Sequence, residues 1–211
     1  MKEKGAGAAA VIAIVIVIAA VAAIGGYYLG AGGEGGEEDG SEGPSAPHYE
    51  VIATVTSMVD GDTTLVRIEN IVVELDPGGE VYEDTIESVR YGGGVDAPEM
   101  NWYNPERSQP GAVEATELVE NLIPPGTTVY LDLDDNREQT PDGQGPYRGV
   151  YGRLIAVIYV MVDGQWINVN AELLRWGQEE YPSFDWLKYA YFATEFDADE
   201  WLEEDYPYVR G

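Results

Sequence analysis

The chain has 211 residues, no cysteine, one histidine and a formal net charge of -28, from 39 acidic and 11 basic residues. The lack of cysteine excludes disulfide bonds and thiolate metal sites. The single histidine, His48, lies in a Gly/Pro/Ser-rich stretch, which argues against histidine zinc sites and against Ser-His-Asp or Cys-His catalysis. Any hydrolytic chemistry must therefore use carboxylates, arginine, tyrosine, serine or threonine, or a hard metal ion.

The excess of acidic residues is typical of a protein adapted to strong salt, such as one from a halophilic archaeon. At about 1 M salt the Debye length is roughly 3 Å, so repulsion between surface carboxylates is largely screened. An ordinary acidic protein and a protein with a specific cationic partner are the alternatives.

The N-terminal residues 1–29 are predicted to form a membrane anchor. Ala6–Leu29 is almost wholly apolar, and about 20 residues suffice to cross a hydrocarbon core of about 30 Å. Lys2 and Lys4 precede this run and acidic residues follow it, which predicts an inside N-terminus and an extracellular remainder. A cleaved signal peptide is one alternative, and a pilin-type helix released at Lys4-Gly5 is another.

Residues 30–48 are predicted to be a flexible acidic linker, and residues 49–211 the globular domain. The linker is rich in glycine and acidic residues and has no apolar periodicity, so it is expected to be disordered and to tether the domain to the membrane.

Alternating apolar residues and β-branched runs predict strands, and 3.6-residue apolar periodicity predicts helices. The predicted strands are Tyr49–Met58, Thr63–Ile68, Ile71–Leu75, Ile86–Tyr91, Thr128–Leu133, Leu154–Val162 and Trp166–Val169. One helix is predicted over Ala112–Ile123, and a second follows a cap at Asn168 or Asn170 and ends at Trp176, just before Gly177. This order predicts an α+β fold, an OB-fold five-stranded Greek-key β-barrel with packed helices.

Three segments carry residues suited to phosphodiester chemistry. In the first, Asp60 and Asp62 flank Gly61, which can adopt a positive φ; taken alone, this pattern predicts a hairpin turn. The second runs from Arg90 through three glycines to Asp96-Ala97-Pro98-Glu99, whose acids also suit a helix N-terminus. The third, Tyr151-Gly152-Arg153, places an arginine at the start of an apolar strand, where a surface arginine is the default.

Taken in this order, the three segments resemble the staphylococcal nuclease (thermonuclease, micrococcal nuclease) family. That family shows Val-Asp-Gly-Asp-Thr, then an arginine-containing strand running into Asp-Thr-Pro-Glu, and later Tyr-Gly-Arg before an apolar strand. The resemblance covers roughly Glu50 to Trp201. It implies a Ca²⁺-dependent nuclease of DNA and RNA that uses in-line attack by water and leaves 3′-phosphate ends.

The resemblance also implies a role for each residue of the three segments. Asp62 and Asp96 would bind Ca²⁺ together with the Ala97 carbonyl, with waters and a phosphate oxygen completing the six to eight oxygen ligands that Ca²⁺ prefers. Asp60 would lie just outside these ligands.

The remaining roles concern the substrate phosphate. Glu99 would hold and deprotonate the attacking water. Arg90 and Arg153 would grip the phosphate, because the planar guanidinium bonds two oxygens at once and stays protonated. Tyr151 would lie beside a terminal phosphate or base.

The chain departs from the family pattern at several places. Arg90 lies six residues before Asp96, where the family has five, and a bulge at the glycines is the device expected to absorb the extra residue. Ala97 replaces threonine, and Val150 replaces a common lysine. With one lysine in the globular part, nucleic-acid binding would depend on Ca²⁺, arginine and stacking. The candidate stacking residues are Tyr103, Tyr147, Tyr181 and Trp186.

The predicted function is therefore a membrane-anchored, outward-facing nuclease acting on single-stranded DNA or RNA, with no protein partner predicted. Two alternatives stay open. The barrel is a catalytically inactive binding or display module if Arg90 is out of register, since a fold alone does not determine chemistry. The chain is a pilin-like filament subunit if the N-terminal helix drives assembly.

Overall fold

The computed structural model describes residues 46–76, 80–135, 146–188 and 195–203. The predicted anchor and all but the last residues of the predicted linker lie outside these ranges. The chain divides into two units, and every described residue belongs to the second, 41–211. No helix in the described ranges is long and apolar enough to cross a membrane.

The described strands form one sheet that closes into a barrel. They are β1 (Val51–Asp60), β2 (Thr63–Ile71), β3 (Ile86–Tyr91), β4 (Thr128–Leu133), β5 (Leu154–Val162) and β6 (Gln165–Asn168). The order is β3-β2-β1-β4-β5-β6, and an additional parallel pairing of β3 with β5 closes the first five strands into a ring. The predicted five-stranded barrel is confirmed and it is closed; with its helices it is consistent with an OB-like α+β fold.

The barrel interior is filled by alternate strand residues, as strand periodicity requires. On β1 the inward residues are Val51, Ala53 and Val55, which are 0%, 0% and 1% exposed. Burying one such aliphatic side chain fully contributes about 1.5–3 kcal/mol. The core therefore fixes the positions of the strand ends.

The described helices are a 3₁₀ turn at Pro105–Arg107, α1 (Ala112–Leu122), α2 (Val169–Glu180) and α3 (Glu200–Glu203). α1 ends where predicted, before Pro124-Pro125. α2 begins at the predicted Asn168 cap, whose side chain accepts a hydrogen bond from the Ala171 amide at 3.0 Å.

Two features of the predicted secondary structure were wrong, the end of the second helix and one strand. Gly177 lies inside α2, where its missing side chain makes room for Trp186: a Cβ there would lie 2.4 Å from the indole ring. The predicted strand Ile71–Leu75 is absent: β2 ends at Ile71, which pairs with Val51 at the first residue of β1, and beyond it one backbone hydrogen bond, from the Val72 amide to the Glu50 carbonyl, continues the pairing.

Candidate functional site

Strand register brings the three sequence segments together at one end of β1. Asp60 ends β1, and Thr63 begins β2 and pairs with Arg90 near the end of β3. Because Val89 pairs in parallel with Leu154, the start of β5 and the preceding Arg153 reach the same place. The site is therefore a product of barrel closure.

Gly61 is needed for packing rather than for a positive φ, which corrects the sequence-based reason. A Cβ at this position would lie 2.8 Å from the Ala115 Cβ on α1 and 2.9 Å from the Ala97 Cβ. The glycine lets α1 and the Asp96–Glu99 segment approach the β1–β2 turn closely. Asp60 and Asp62 flank the contact and are held beside the second segment.

Arg90 joins the two carboxylates predicted to bind metal. Its Nη1 contacts Asp62 Oδ1, and its Nη2 donates to Asp96 Oδ1 at 2.8 Å. Burial alone would lower the pKa of the guanidinium, but the charges of Asp62 and Asp96 outweigh burial and raise it. Arg90 therefore remains a cation in the site.

The glycines after β3 take up the extra residue between Arg90 and Asp96. Gly92 continues the sheet by donating to the Ala156 carbonyl at 2.8 Å, and the chain then turns with φ of 71° at Gly93 and 74° at Gly94. Asp96 is fixed by its amide, which donates to the Trp186 carbonyl at 2.9 Å. The turn brings Asp96 back to Arg90.

The Asp62 and Asp96 carboxylates have further partners. Asp62 is 3% exposed and accepts from the Ala97 amide and, at 3.0 Å, from the Thr63 hydroxyl. Asp96 Oδ2 contacts Lys188 Nζ. Sequence reasoning assigned Lys188 no role, although it is the only lysine outside the first four residues.

Arg153 and Tyr151 face the same region from the segment before β5. Arg153 Nη1 donates to Thr63 Oγ1 at 3.2 Å, and its guanidinium lies 5.5 Å from the centroid of the Tyr151 ring, which is 81% exposed. Arg148 holds this segment to β3 by donating from both Nη atoms to Glu87 at 3.0 Å. Arg90 and Arg153 are thus linked through Asp62 and Thr63.

A cavity of about 170 Å³ lies next to these cations. Its lining includes Arg90, Arg153, Lys188, Tyr151, Asp134 and the glycine turn 92–94. Three cationic side chains around a small cavity are suited to bind a phosphate group.

Asp60 interacts electrostatically with both Asp62 and Glu99. Burial, followed by the charge of Asp62, raises the pKa of Asp60 to about 7, and the charge of Glu99 adds to the rise. Glu99 is exposed and lines a surface groove formed by residues 99–103 with Arg107 and Gln109. Its amide donates to Gln109 Oε1 at 3.0 Å, which fixes the backbone of this segment.

The candidate stacking residues divide into core and surface groups. Tyr147 and Trp186 are 4% and 2% exposed and belong to the core, so they are not available to stack on a base. Tyr103 is fully exposed, and Trp102, which sequence reasoning missed, is 57% exposed in the groove that Glu99 lines. The Trp102 indole nitrogen donates to the Val59 carbonyl and ties the groove to the end of β1.

The donors of this site fit a hard divalent cation in chemical type. Asp62 and Asp96 already converge on one cationic group, the Arg90 guanidinium. Two carboxylates supply at most four of the six to eight oxygens that Ca²⁺ takes, so the Ala97 carbonyl, waters and a phosphate would supply the others. A bound cation would replace part of the contact with Arg90 and free that side chain for an anion.

A scan against protein-family models found no match, and a search of curated proteins found none.

Proposed function

We propose that the barrel domain is a Ca²⁺-dependent phosphodiesterase of the staphylococcal nuclease type, which hydrolyses DNA and RNA by in-line attack of water. One observation carries the proposal: Arg90 and Arg153 line the same cavity, and Asp62 and Asp96 both contact Arg90. Cationic donors for a phosphate thus adjoin carboxylates for a metal ion, which is the pairing that phosphodiester hydrolysis needs.

In the proposed reaction, Arg90 and Arg153 bind the non-bridging oxygens of the scissile phosphate and neutralise the charge that builds on the five-coordinate phosphorus. Glu99 accepts a proton from the attacking water as its oxygen bonds to phosphorus. The bond from phosphorus to the 5′-oxygen breaks, and that oxygen takes up a proton from solvent water. The products are a 3′-phosphate and a 5′-hydroxyl.

Asp62, Asp96 and the Ala97 carbonyl would hold the Ca²⁺. When bound, a hard divalent cation supplies Lewis-acid stabilisation of charge on the phosphate oxygens. When it is ionised, Asp60 adds negative charge beside Asp62, which favours a bound cation. Tyr151 packs against Arg153 and restricts the positions that its guanidinium can take.

Single-stranded nucleic acid is the proposed substrate. The exposed rings of Trp102 and Tyr103 next to Glu99 offer stacking surfaces for unpaired bases, and such stacking tolerates any sequence. With a net charge of -28 the chain cannot rely on a basic surface, so stacking and the arginines would provide the binding energy. The proposed location is the outer face of the membrane, with residues 1–29 as the anchor.

The test is cleavage of single-stranded DNA by the full chain in detergent at high salt, with Ca²⁺ and with a chelator. We expect Ca²⁺-dependent cleavage that Glu99→Gln lowers by about 100-fold or more. Glu120→Gln on the exposed face of α1 is the matched control and should leave the rate unchanged.

Two outcomes would contradict the proposal. Absence of cleavage at every salt and metal concentration, with binding of DNA retained, would leave a binding module on the same barrel. Cleavage that persists in both Glu99→Gln and Arg90→Ala would show that hydrolysis occurs elsewhere.

A further inference from the structure

A second cluster of ligating side chains lies at the other end of β1. His48 Nδ1 is 3.0 Å from Asp132 Oδ1 and 3.4 Å from Glu50 Oε1. One ligand atom from each of the three side chains lies within 4.8 Å of the other two. β1 has ten residues, and at about 3.3 Å per residue this cluster is about 30 Å along the strand from the Arg90 site.

The barrel holds the two carboxylates in place. Glu50 is 8% exposed, its amide donates to the Leu131 carbonyl at 3.0 Å, and its Oε2 accepts from the Leu133 amide at 2.8 Å. Asp132 belongs to β4, and its side chain is 14% exposed. Because Glu50 Oε2 is engaged by the backbone, Oε1 is the oxygen left facing the histidine.

The charge of the cluster favours a cation from solution. Among the described ion pairs, neither Glu50 nor Asp132 contacts a lysine or an arginine, and both face the imidazole of His48. Two partly buried carboxylates close together repel each other and lose hydration, and this cost falls when a cation binds both. In contrast to isolated surface acids, these two are fixed side by side by the sheet.

The two separations measured from His48 Nδ1 match a small metal ion with tetrahedral coordination. Metal–ligand bonds of about 2.0–2.1 Å to nitrogen and oxygen place two ligand atoms about 3.3 Å apart in a tetrahedron. The separations of 3.0 and 3.4 Å between His48 Nδ1 and the two carboxylate oxygens bracket that value. The His48 side chain is 71% exposed, so water has access to a fourth position.

We propose that His48, Glu50 and Asp132 form a binding site for a divalent transition metal of the Zn²⁺ class. An imidazole nitrogen with two carboxylates suits Zn²⁺ and its first-row neighbours, whereas Ca²⁺ and Mg²⁺ prefer sites made of oxygen alone. The bound ion ties the segment before β1 to β4. It therefore stabilises the barrel at the point where the predicted linker enters it. The inference does not depend on the proposed nuclease activity.

The single histidine makes a sharp test possible. The full chain, labelled with ¹⁵N in the imidazole and treated with chelator, is titrated with ZnCl₂ in detergent. The one histidine gives one pair of ring nitrogen signals. We expect a saturable shift of the Nδ1 signal at one equivalent of Zn²⁺, and a higher thermal midpoint for the Zn²⁺-bound protein.

Variants separate this site from the Arg90 site. His48→Ala removes an exposed side chain, and Asp132→Asn keeps the size of its side chain. Each should raise the Zn²⁺ dissociation constant at least about tenfold, since even outer partners of metal ligands matter that much. Isothermal titration calorimetry measures this constant, because His48→Ala has no imidazole signal. Glu69→Gln, an exposed acid on β2, and Asp96→Asn at the Arg90 site should leave the Nδ1 shift unchanged. An Nδ1 signal that does not move with excess Zn²⁺, or an unchanged dissociation constant in both His48→Ala and Asp132→Asn, would overturn the proposal.

Discussion

The two ends of β1 carry carboxylates in opposite electrostatic settings. At the Asp60 end, Asp62 and Asp96 contact Arg90, and Lys188 contacts Asp96. At the Glu50 end, Glu50 and Asp132 face only the imidazole of His48 among the described ion pairs. The carboxylates of the first end are therefore paired with lysine and arginine from the chain itself, whereas those of the second end, among the described ion pairs, are paired with neither.

The largest expected effect that tests this contrast is on catalysis. Arg90→Ala and Arg153→Ala should each lower the rate of DNA cleavage by about 100- to 1,000-fold, as expected for loss of one preorganised donor to the transition state. Single-turnover rates at saturating Ca²⁺ measure the effect. Arg67→Ala, an exposed arginine on β2, is the control; a similar loss in that variant would mean that general charge, and not the site, sets the rate.

The next largest expected effect is the loss in free energy of unfolding caused by Arg90→Ala. Arg90→Ala leaves Asp62, which is 3% exposed, without its guanidinium partner, and breaking such a pair from one side costs about 3 kcal/mol. The double variant Asp62→Asn with Arg90→Ala should recover part of that loss, because no charge is left unpaired. The coupling energy is obtained from denaturant unfolding, in chelator, of the unmodified protein, the single variants Arg90→Ala and Asp62→Asn, and the double variant. Additive losses would show that the pair is not coupled.

The pH dependence of stability should be smaller and has a defined sign. The pKa of Asp60 is raised from 3.8 to about 7 by burial and by Asp62, so the folded state binds this proton more tightly than the unfolded state does. Stability contributed by the protonated form is lost as pH rises from about 4 to about 7. In chelator, Asp60→Asn should raise the thermal midpoint by about 4 °C at pH 8 and by less at pH 5. An equal rise in the thermal midpoint at pH 8 and pH 5 would contradict a raised pKa of Asp60 in the folded state.

The smallest effect is expected at Tyr151. Its ring lies 5.5 Å from the Arg153 guanidinium, and the side chain is 81% exposed, so the contact contributes about 0.5–1 kcal/mol. Tyr151→Ala should lower cleavage by about threefold to fivefold, and Tyr151→Phe should keep the full rate. Full loss with Tyr151→Phe would point to a role for the hydroxyl group itself.

The strands were largely predictable because each carries a local pattern. Alternation along Val51–Asp60 reports the two faces of β1, and the apolar run Leu154–Val162 reports the strand with the most buried residues. Gly177 was misinterpreted for the same reason: glycine after an apolar helix is a local stop signal, whereas its use here is to admit Trp186 from a later segment. Contacts between distant segments leave no periodic trace in the sequence.

The sequence by itself determined the composition of the candidate site, the order of most strands along the chain and the alternation of residues on β1, because these follow from residue types and short-range periodicity. Tertiary structure decided which charges meet. Closure of β3 on β5 brings Arg153 to Thr63, and the turn at Gly93 and Gly94 returns Asp96 to Arg90. It also placed His48 beside Asp132, 84 positions away. Such pairs form only when the barrel closes, since strand pairing and not chain proximity sets their distance.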